Sequence, residues 1–204
     1  MTKDGGIKIL RGNIAPNGAI LKPSAASPHL MQHTGRAVVF ESVEEFHTKI
    51  HDPNLDVDEN CILVLKNCGP KGYPGMAEVG NMILPQKVLK KGVRDMIRIS
   101  DARMSGTAFG TVILHTAPEA AVKGPLAAVQ NGDEISVDVK NGKMELLVSK
   151  EIIEKRLKEY NPVLPEVTGG YQKLYVDHVM QADKGADLDF LVGRRGSEVK
   201  RHSH

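Results

Sequence analysis

The serine Ser105 stands in a loop of small residues, Ile99-Ser-Asp-Ala-Arg-Met-Ser-Gly-Thr-Ala-Phe-Gly110, between apolar segments at 96–99 and 111–114. With Gly106 after it and a strand-like run before it, the backbone can turn and the hydroxyl can face a ligand. A second loop, Gly69-Pro-Lys-Gly-Tyr-Pro-Gly-Met-Ala-Glu78, follows another apolar run and ends on one carboxylate. Serine hydrolase chemistry is disfavoured. There is no Gly-x-Ser-x-Gly elbow, and the nearest histidine, His115, is placed at the far end of the next strand. On residue type alone Ser105 reads as a turn former. Glu78 reads as the start of a helix, where its charge suits the N-terminal dipole. One carboxylate does not make a magnesium site, because the ion takes six oxygens and usually keeps several waters.

Other candidates carry less. Cys61 lies in an apolar run and Cys68 at a loop entrance. Two thiolates fall short of the four ligands of a cluster, and their spacing fits no cluster motif, so both are expected to be structural. The loop from Gly69 to Gly75 lacks the Gly-Lys-Ser/Thr ending of a phosphate cradle, and two prolines remove amide donors from it. His29, His33, His47, His51 and His178 form no H-x-x-x-H or H-E-x-x-H pattern. The end of the chain, residues 194–204, is a polar tail with Arg194, Arg195, Lys200, Arg201 and two histidines after the largely apolar Leu188–Val192. Such donors favour an anionic, hydroxyl-rich substrate. We expect His204 to fold toward the mouth of a site, from a neighbouring subunit.

The elements that must position these residues follow from pattern. At 204 residues, with 41% apolar and 25% charged residues, the chain is expected to form one soluble domain, 1–204. A net charge of +2 is too small to imply nucleic acid or an anionic membrane. Its apolar runs are strand-length, too short to span a bilayer, and a reducing cytoplasm is the expected compartment. Few aromatics with frequent glycine and proline suit short strands joined by tight turns. Strands are expected at 7–10, 37–40, 61–66, 95–100 and 111–115. Residues 12–23 read as a loop turning at Asn17-Gly18. Ser42-Val-Glu-Glu45 is a capping box that predicts a helix over 43–50. Short helices are expected at 76–82 and 85–91. Asn141-Gly142 predicts a hairpin between 134–139 and 143–148. Ser149 caps a helix to Tyr160 with Ile152, Ile153 and Leu157 on one face, and a last helix is expected at 171–182.

The string Asp101-Ala-Arg-Met-Ser-Gly-Thr107, together with the Gly69–Glu78 loop, resembles the signature loops of the dihydroxy-acid and sugar-acid dehydratase family. The resemblance extends through Arg11-Gly-Asn13, Ala37-Val-Val-Phe40, His115-Thr-Ala-Pro-Glu-Ala120, Gly124-Pro-Leu126 and Asn131-Gly-Asp133. It covers nearly all of this chain but only the C-terminal part of a family member. Branched-chain dihydroxy-acid dehydratases resemble Asp-Gly-Arg-Phe-Ser-Gly-Gly-Thr at the serine loop. Thr107 here, in place of glycine, leans toward the aldonic-acid branch, as does the string from Tyr175 to Gly193.

The resemblance implies an α+β, mainly β fold: a barrel-like swivelling β/β/α domain flanked by helices. It implies loss of water from an aldonic acid to give a 2-keto-3-deoxy acid, in a homodimer or homotetramer. Ser105 would take the C2 proton, Thr107 would hydrogen-bond the serine or the substrate, and Glu78 would be one ligand of a Mg2+ site. The remaining magnesium ligands and an iron–sulfur cluster, of 2Fe–2S type, would belong to an N-terminal domain of the same enzyme. This chain alone is then expected to hold no cluster and to be inactive. The competing expectations are a dihydroxy-acid dehydratase of branched-chain amino-acid biosynthesis, or a noncatalytic binding module that keeps the fold.

Overall fold

A computed structural model describes residues 6–162 and 164–193. Eight strands among them close into a barrel: β1 (Lys8–Gly12), β2 (Ala15–Leu21), β3 (Gln32–Phe40), β4 (Ile62–Leu65), β5 (Arg98–Ser100), β6 (Val112–Ala117), β7 (Glu134–Asp138) and β8 (Lys143–Leu146). Around the wall their order is β1-β2-β6-β5-β4-β3-β7-β8. The mainly β barrel flanked by helices is the expected class. No described helix is long and apolar enough to cross a membrane.

Strands β3, β4, β5 and β6 run parallel, which requires a crossover between each pair. Helix α1 (Val43–Lys49) makes the first crossover, and α2 (Gln86–Lys90) lies within the second. These strands are buried on both faces, and their side chains alternate accordingly. Ala37, Val39, Ile62 and Val64 point into the barrel core, while Val38, Phe40, Leu63 and Leu65 pack outward against Phe46, Val88 and Met82. Ser42 caps α1 as its residues predict, but the return bond from Glu45 goes to Glu41, one residue before the cap. Ser42 Oγ accepts the Glu45 N–H at 3.1 Å, and Glu45 Oε2 accepts the Glu41 N–H at 2.7 Å. The β7–β8 hairpin turns through residues 139–142, with Asp138 accepting from the Asn141 N–H and Gly142 at φ +66°.

Four expectations are corrected. Residues 15–21 are strand, not loop, because β2 pairs with both β1 and β6; Gly18, at φ +115°, bends the strand rather than ending it. Residues 76–82 form no helix. Gly75 and Met76 are both left-handed, at φ +94° and +51°, and Gly80 lies so close to Leu114 that an added Cβ would sit 2.3 Å from it. Helix α3 (Lys150–Glu159) is capped by Ser149 but buries only Ile153 and Leu157, leaving Ile152 exposed. Helix α4 (Gly170–His178) ends before Ala182, where the chain turns back to bridge Val179 with Leu188.

The barrel closes through one parallel bridge, Arg11 to Lys143. At the seam a Cβ on Gly12 would lie 1.8 Å from the Met144 carbonyl oxygen. Gly12→Ala must therefore push β1 off β8, and it is expected to lower stability by about 1–3 kcal/mol. A drop in the denaturation midpoint of that size checks this, and an unchanged midpoint would refute it.

Candidate active site

The site starts from two carboxyl ends. Leu65 of β4 is in register with Ser100 of β5, so the chain leaves these adjacent parallel strands side by side. Ligands in parallel sheets gather at such ends. One exit leads into the loop that carries Glu78, the other into the loop that carries Ser105.

Buried carboxylates staple the loop bases. Asp101, fully buried, accepts the Cys68 N–H and the Ala120 N–H, each at 2.8 Å. It thereby ties the start of both loops to the turn after β6. Glu119, also buried, accepts the Lys71 and Gly72 N–H groups at 2.9–3.1 Å and the Gln181 side-chain amide at 2.7 Å. Gly69 is required there, since a Cβ would sit 2.6 Å from the Glu119 side chain. A second clamp holds the far ends of the loops. Arg98 donates to Asp95 at 2.9 Å, to the Phe109 carbonyl at 3.0 Å and to the Met82 carbonyl at 3.1 Å. Asp95 in turn accepts from the N–H and hydroxyl of Thr111. Burial opposes ionisation of Asp95, but these bonds and the guanidinium hold its carboxyl below the usual range.

Burial pushes the Asp101 carboxyl up to about 7, against the pull of its backbone donors. The folded state therefore binds a proton that the unfolded chain has already released. Stability linked to Asp101 is full below its ordinary value of 3.8 and is lost as pH rises through about 7. We expect the unfolding midpoint of the native protein to fall more steeply between about pH 4 and pH 7 than that of Asp101→Asn, the interval in which only the folded state holds the proton. Parallel slopes would refute the assignment.

The two loops meet. The Arg103 N–H donates to the Ala77 carbonyl at 3.3 Å, and the Arg103 guanidinium lies 3.7 Å from Glu78 Oε1, with both side chains about half exposed. Beyond this contact Ser105 Oγ and Thr107 Oγ1 are 2.9 Å apart, and Ser105 Oγ also accepts the Thr107 N–H at 3.3 Å. Lys22, just after β2, donates to the Gly106 carbonyl at 3.0 Å. Glu78 and the Ser105–Thr107 hydroxyl pair are thus carried by loops that dock on one another. His204 lies outside the described residues.

The placement of His115 is a correction. It is not remote from the serine loop: its Nε2 accepts the Met104 N–H at 2.8 Å, one residue before Ser105. The parallel pairing of β5 with β6 brings it there, and no spacing in the sequence signals it. Asp95, Arg98, Asp101 and Glu119 likewise carry no signal in the sequence as anchors, since a buried charge shows itself only through its partners.

Among the described residues no three His, Cys, Asp or Glu side chains converge as a metal site. Glu78 is a single exposed carboxylate with one long ion pair, a donor that fits one position of a shared oxygen-ligand site. Cys61 and Cys68 are both buried. Burial raises the Cys61 thiol, which donates to Asp58, and raises the Cys68 thiol further, which donates to the Lys66 carbonyl. Neither has the exposure or the low pKa of a reactive thiolate.

The family model described as dihydroxy-acid/6-phosphogluconate dehydratase C-terminal matches residues 1–186. The chain is 64% identical over its full length to the L-arabinonate dehydratase of Rhizobium leguminosarum bv. trifolii, covering 35% of that protein. It is 61% identical to the L-arabonate dehydratase of Azospirillum brasilense, across 98% of this chain and 36% of the relative. The 6-deoxy-6-sulfo-D-gluconate dehydratase of Pseudomonas putida is 46% identical, across 91% of this chain and 32% of the relative. The chain therefore spans about a third of the length of the curated relatives it matches.

Proposed function

Because the chain belongs to the dihydroxy-acid/6-phosphogluconate dehydratase family, as its C-terminal domain, we propose that it serves an aldonic-acid dehydratase. The complete protein removes water from a 2,3-dihydroxy sugar acid, a pentonate of the L-arabinonate kind first among them, to give the 2-keto-3-deoxy acid. The observation that carries this reading is the docking of the two loops. Arg103 bridges them, with Glu78 on one side and the Ser105–Thr107 hydroxyl pair on the other.

In this reading Ser105 Oγ takes the C2 proton of the substrate. Thr107 holds that oxygen in place and leaves a second hydroxyl for the polyol chain, which a glycine there would not supply. Arg103 keeps the Glu78 carboxylate turned toward the serine loop, and Glu78 serves as one ligand of a magnesium site completed outside this chain. A magnesium ion and an iron–sulfur cluster, held largely by the rest of the enzyme, supply Lewis acidity to the substrate oxygens and positive charge near the serine. Free serine is a weak base, so Ser105 works only beside such charge. The enol left after dehydration tautomerises in solution or in the site.

The test is turnover by the full-length protein, purified anaerobically with Mg2+, on a panel of aldonic acids and on 2,3-dihydroxyisovalerate. Semicarbazide-reactive 2-keto-3-deoxy acid from an aldonate supports the proposal. Turnover of the branched-chain acid alone would move the protein to the other branch. No product from any acid, with the cluster intact, would leave a binding module.

A further inference from the structure

We propose that His115 is the positioning residue of the serine loop, a neutral hydrogen-bond acceptor whose protonation releases Ser105 from its working place. This rests on the reading of Ser105 as the base.

The argument begins in the wall of the barrel. β2 and β6 pair at Ile20 with Leu114 and at Gly18 with Ala117, so His115 and Thr116 together oppose the single residue Ala19. That extra residue is a β-bulge, and His115 carries it at φ +54°, in the left-handed region an L side chain seldom occupies. A bulge re-aims the groups beside it, and a strained residue persists only where its surroundings hold it.

What the bulge does is visible in the bonds it redirects. β5 and β6 pair only at Arg98 with Val112 and Ile99 with Ile113. Beyond that point three bonds from the bulge replace the ladder. Thr116 Oγ1 donates to the Ser100 carbonyl at 3.0 Å, the His115 N–H donates to the Ala102 carbonyl at 3.0 Å, and His115 Nε2 accepts the Met104 N–H at 2.8 Å. Alternate residues of the serine loop are thus held in sequence, and the last anchor adjoins Ser105.

A backbone N–H can only donate, so the bonded ring nitrogen must keep its lone pair. An imidazolium has none, and it would set a positive N–H against the Met104 N–H. Burial, then the nearby Arg103 charge, lowers the His115 pKa and keeps the ring neutral. The other charges on the packed elements are spoken for: Asp101, itself raised to about 7, accepts the Cys68 and Ala120 N–H groups, and Glu119 accepts those of Lys71 and Gly72. Arg103 faces Glu78 at 3.7 Å, Arg98 of β5 is held by Asp95, and Asp183 and Lys184 of the turn at 182–184 pair with each other at 3.8 Å. β2 brings no titratable side chain.

The test compares the native full-length protein with His115→Gln and His115→Ala, reading kcat and KM against pH, and hydrogen exchange at the Met104 amide. Iron content is followed at each pH to separate cluster loss from loop release. The native kcat should fall on the acid side with a one-proton limb below the ordinary imidazole value. Gln can accept the same N–H without titrating, so His115→Gln should keep kcat within about tenfold at neutral pH and lose the limb. His115→Ala should lower kcat by about 10- to 100-fold with KM changed less than about threefold, and should speed Met104 exchange. An acid limb that survives in His115→Gln, or native kcat and Met104 protection in His115→Ala, would overturn the proposal. If His115→Ala does not fold, the Gln profile decides. If the native protein dehydrates no sugar acid, the functional reading fails instead, and the pH dependence of Met104 exchange still decides whether His115 anchors the loop.

Discussion

Ser105→Ala in the full-length protein is expected to lower kcat by about a thousandfold or more while changing the substrate dissociation constant by less than a few-fold. Alanine removes the oxygen that takes the proton but keeps the turn, since the Ala108 N–H bonds the residue 105 carbonyl at 3.1 Å and Met104 remains tied to His115. The group is needed mainly in the transition state, so its loss falls on kcat and spares binding. Thr107→Val is the informative companion. It removes the 2.9 Å hydroxyl contact to Ser105 without removing the base, and its defect should be smaller, on the order of tenfold. A Ser105→Ala enzyme with native kcat would remove the serine from the chemistry. Equal losses for the two variants would point to a structural role for the hydroxyl pair.

The second large effect is expected at a residue remote from the reacting atoms. Asp95→Ala should lower the stability of the domain by about 3–5 kcal/mol, because it strands the buried guanidinium of Arg98. Arg98 also bonds the Met82 and Phe109 carbonyls, so both loops lose their far anchor at once. Gly110 shows how tightly the clamp is built: at φ +86°, a Cβ there would lie 2.1 Å from Arg98 Nη2. In thermal unfolding the loss corresponds to a midpoint lowered by about 10 °C for a domain of this size. Removing both charges, as Asp95→Leu with Arg98→Met, should recover part of it, since no unpaired ion is left inside. A shift within about 1 kcal/mol for Asp95→Ala would show that the pair is dispensable.

Local features were legible in the residues themselves. Ser42 caps α1, Asn141-Gly142 turns the β7–β8 hairpin, and Ser149 opens α3, because each depends on groups a few positions apart. The run from Cys61 to Lys66 reads as a buried strand because a parallel strand covered on both faces needs apolar residues throughout. The two loops are likewise visible as strings, and with them the family. Gly18 misled for a physical reason. Asn-Gly suits a turn, yet pairing on both sides of β2 outweighs that local preference. The stretch from Met76 to Met82 misled in the opposite way, since left-handed Gly75 and Met76 and the close approach of Gly80 to Leu114 override helical spacing.

The chain by itself therefore determined the short strands, the caps and turns, and the identities of Ser105, Thr107 and Glu78 as residues to watch. Only the tertiary structure decided what stands next to them. Arg103 reaches Glu78, Arg98 reaches the Met82 carbonyl, Asp101 joins two loop bases, and His115 bonds the Met104 amide because β4, β5 and β6 lie side by side in parallel. Parallel neighbours are joined by long crossovers, so residues that touch across them have no fixed spacing in sequence. Hydrogen-bond satisfaction in a buried interior, rather than any motif, selects those partners.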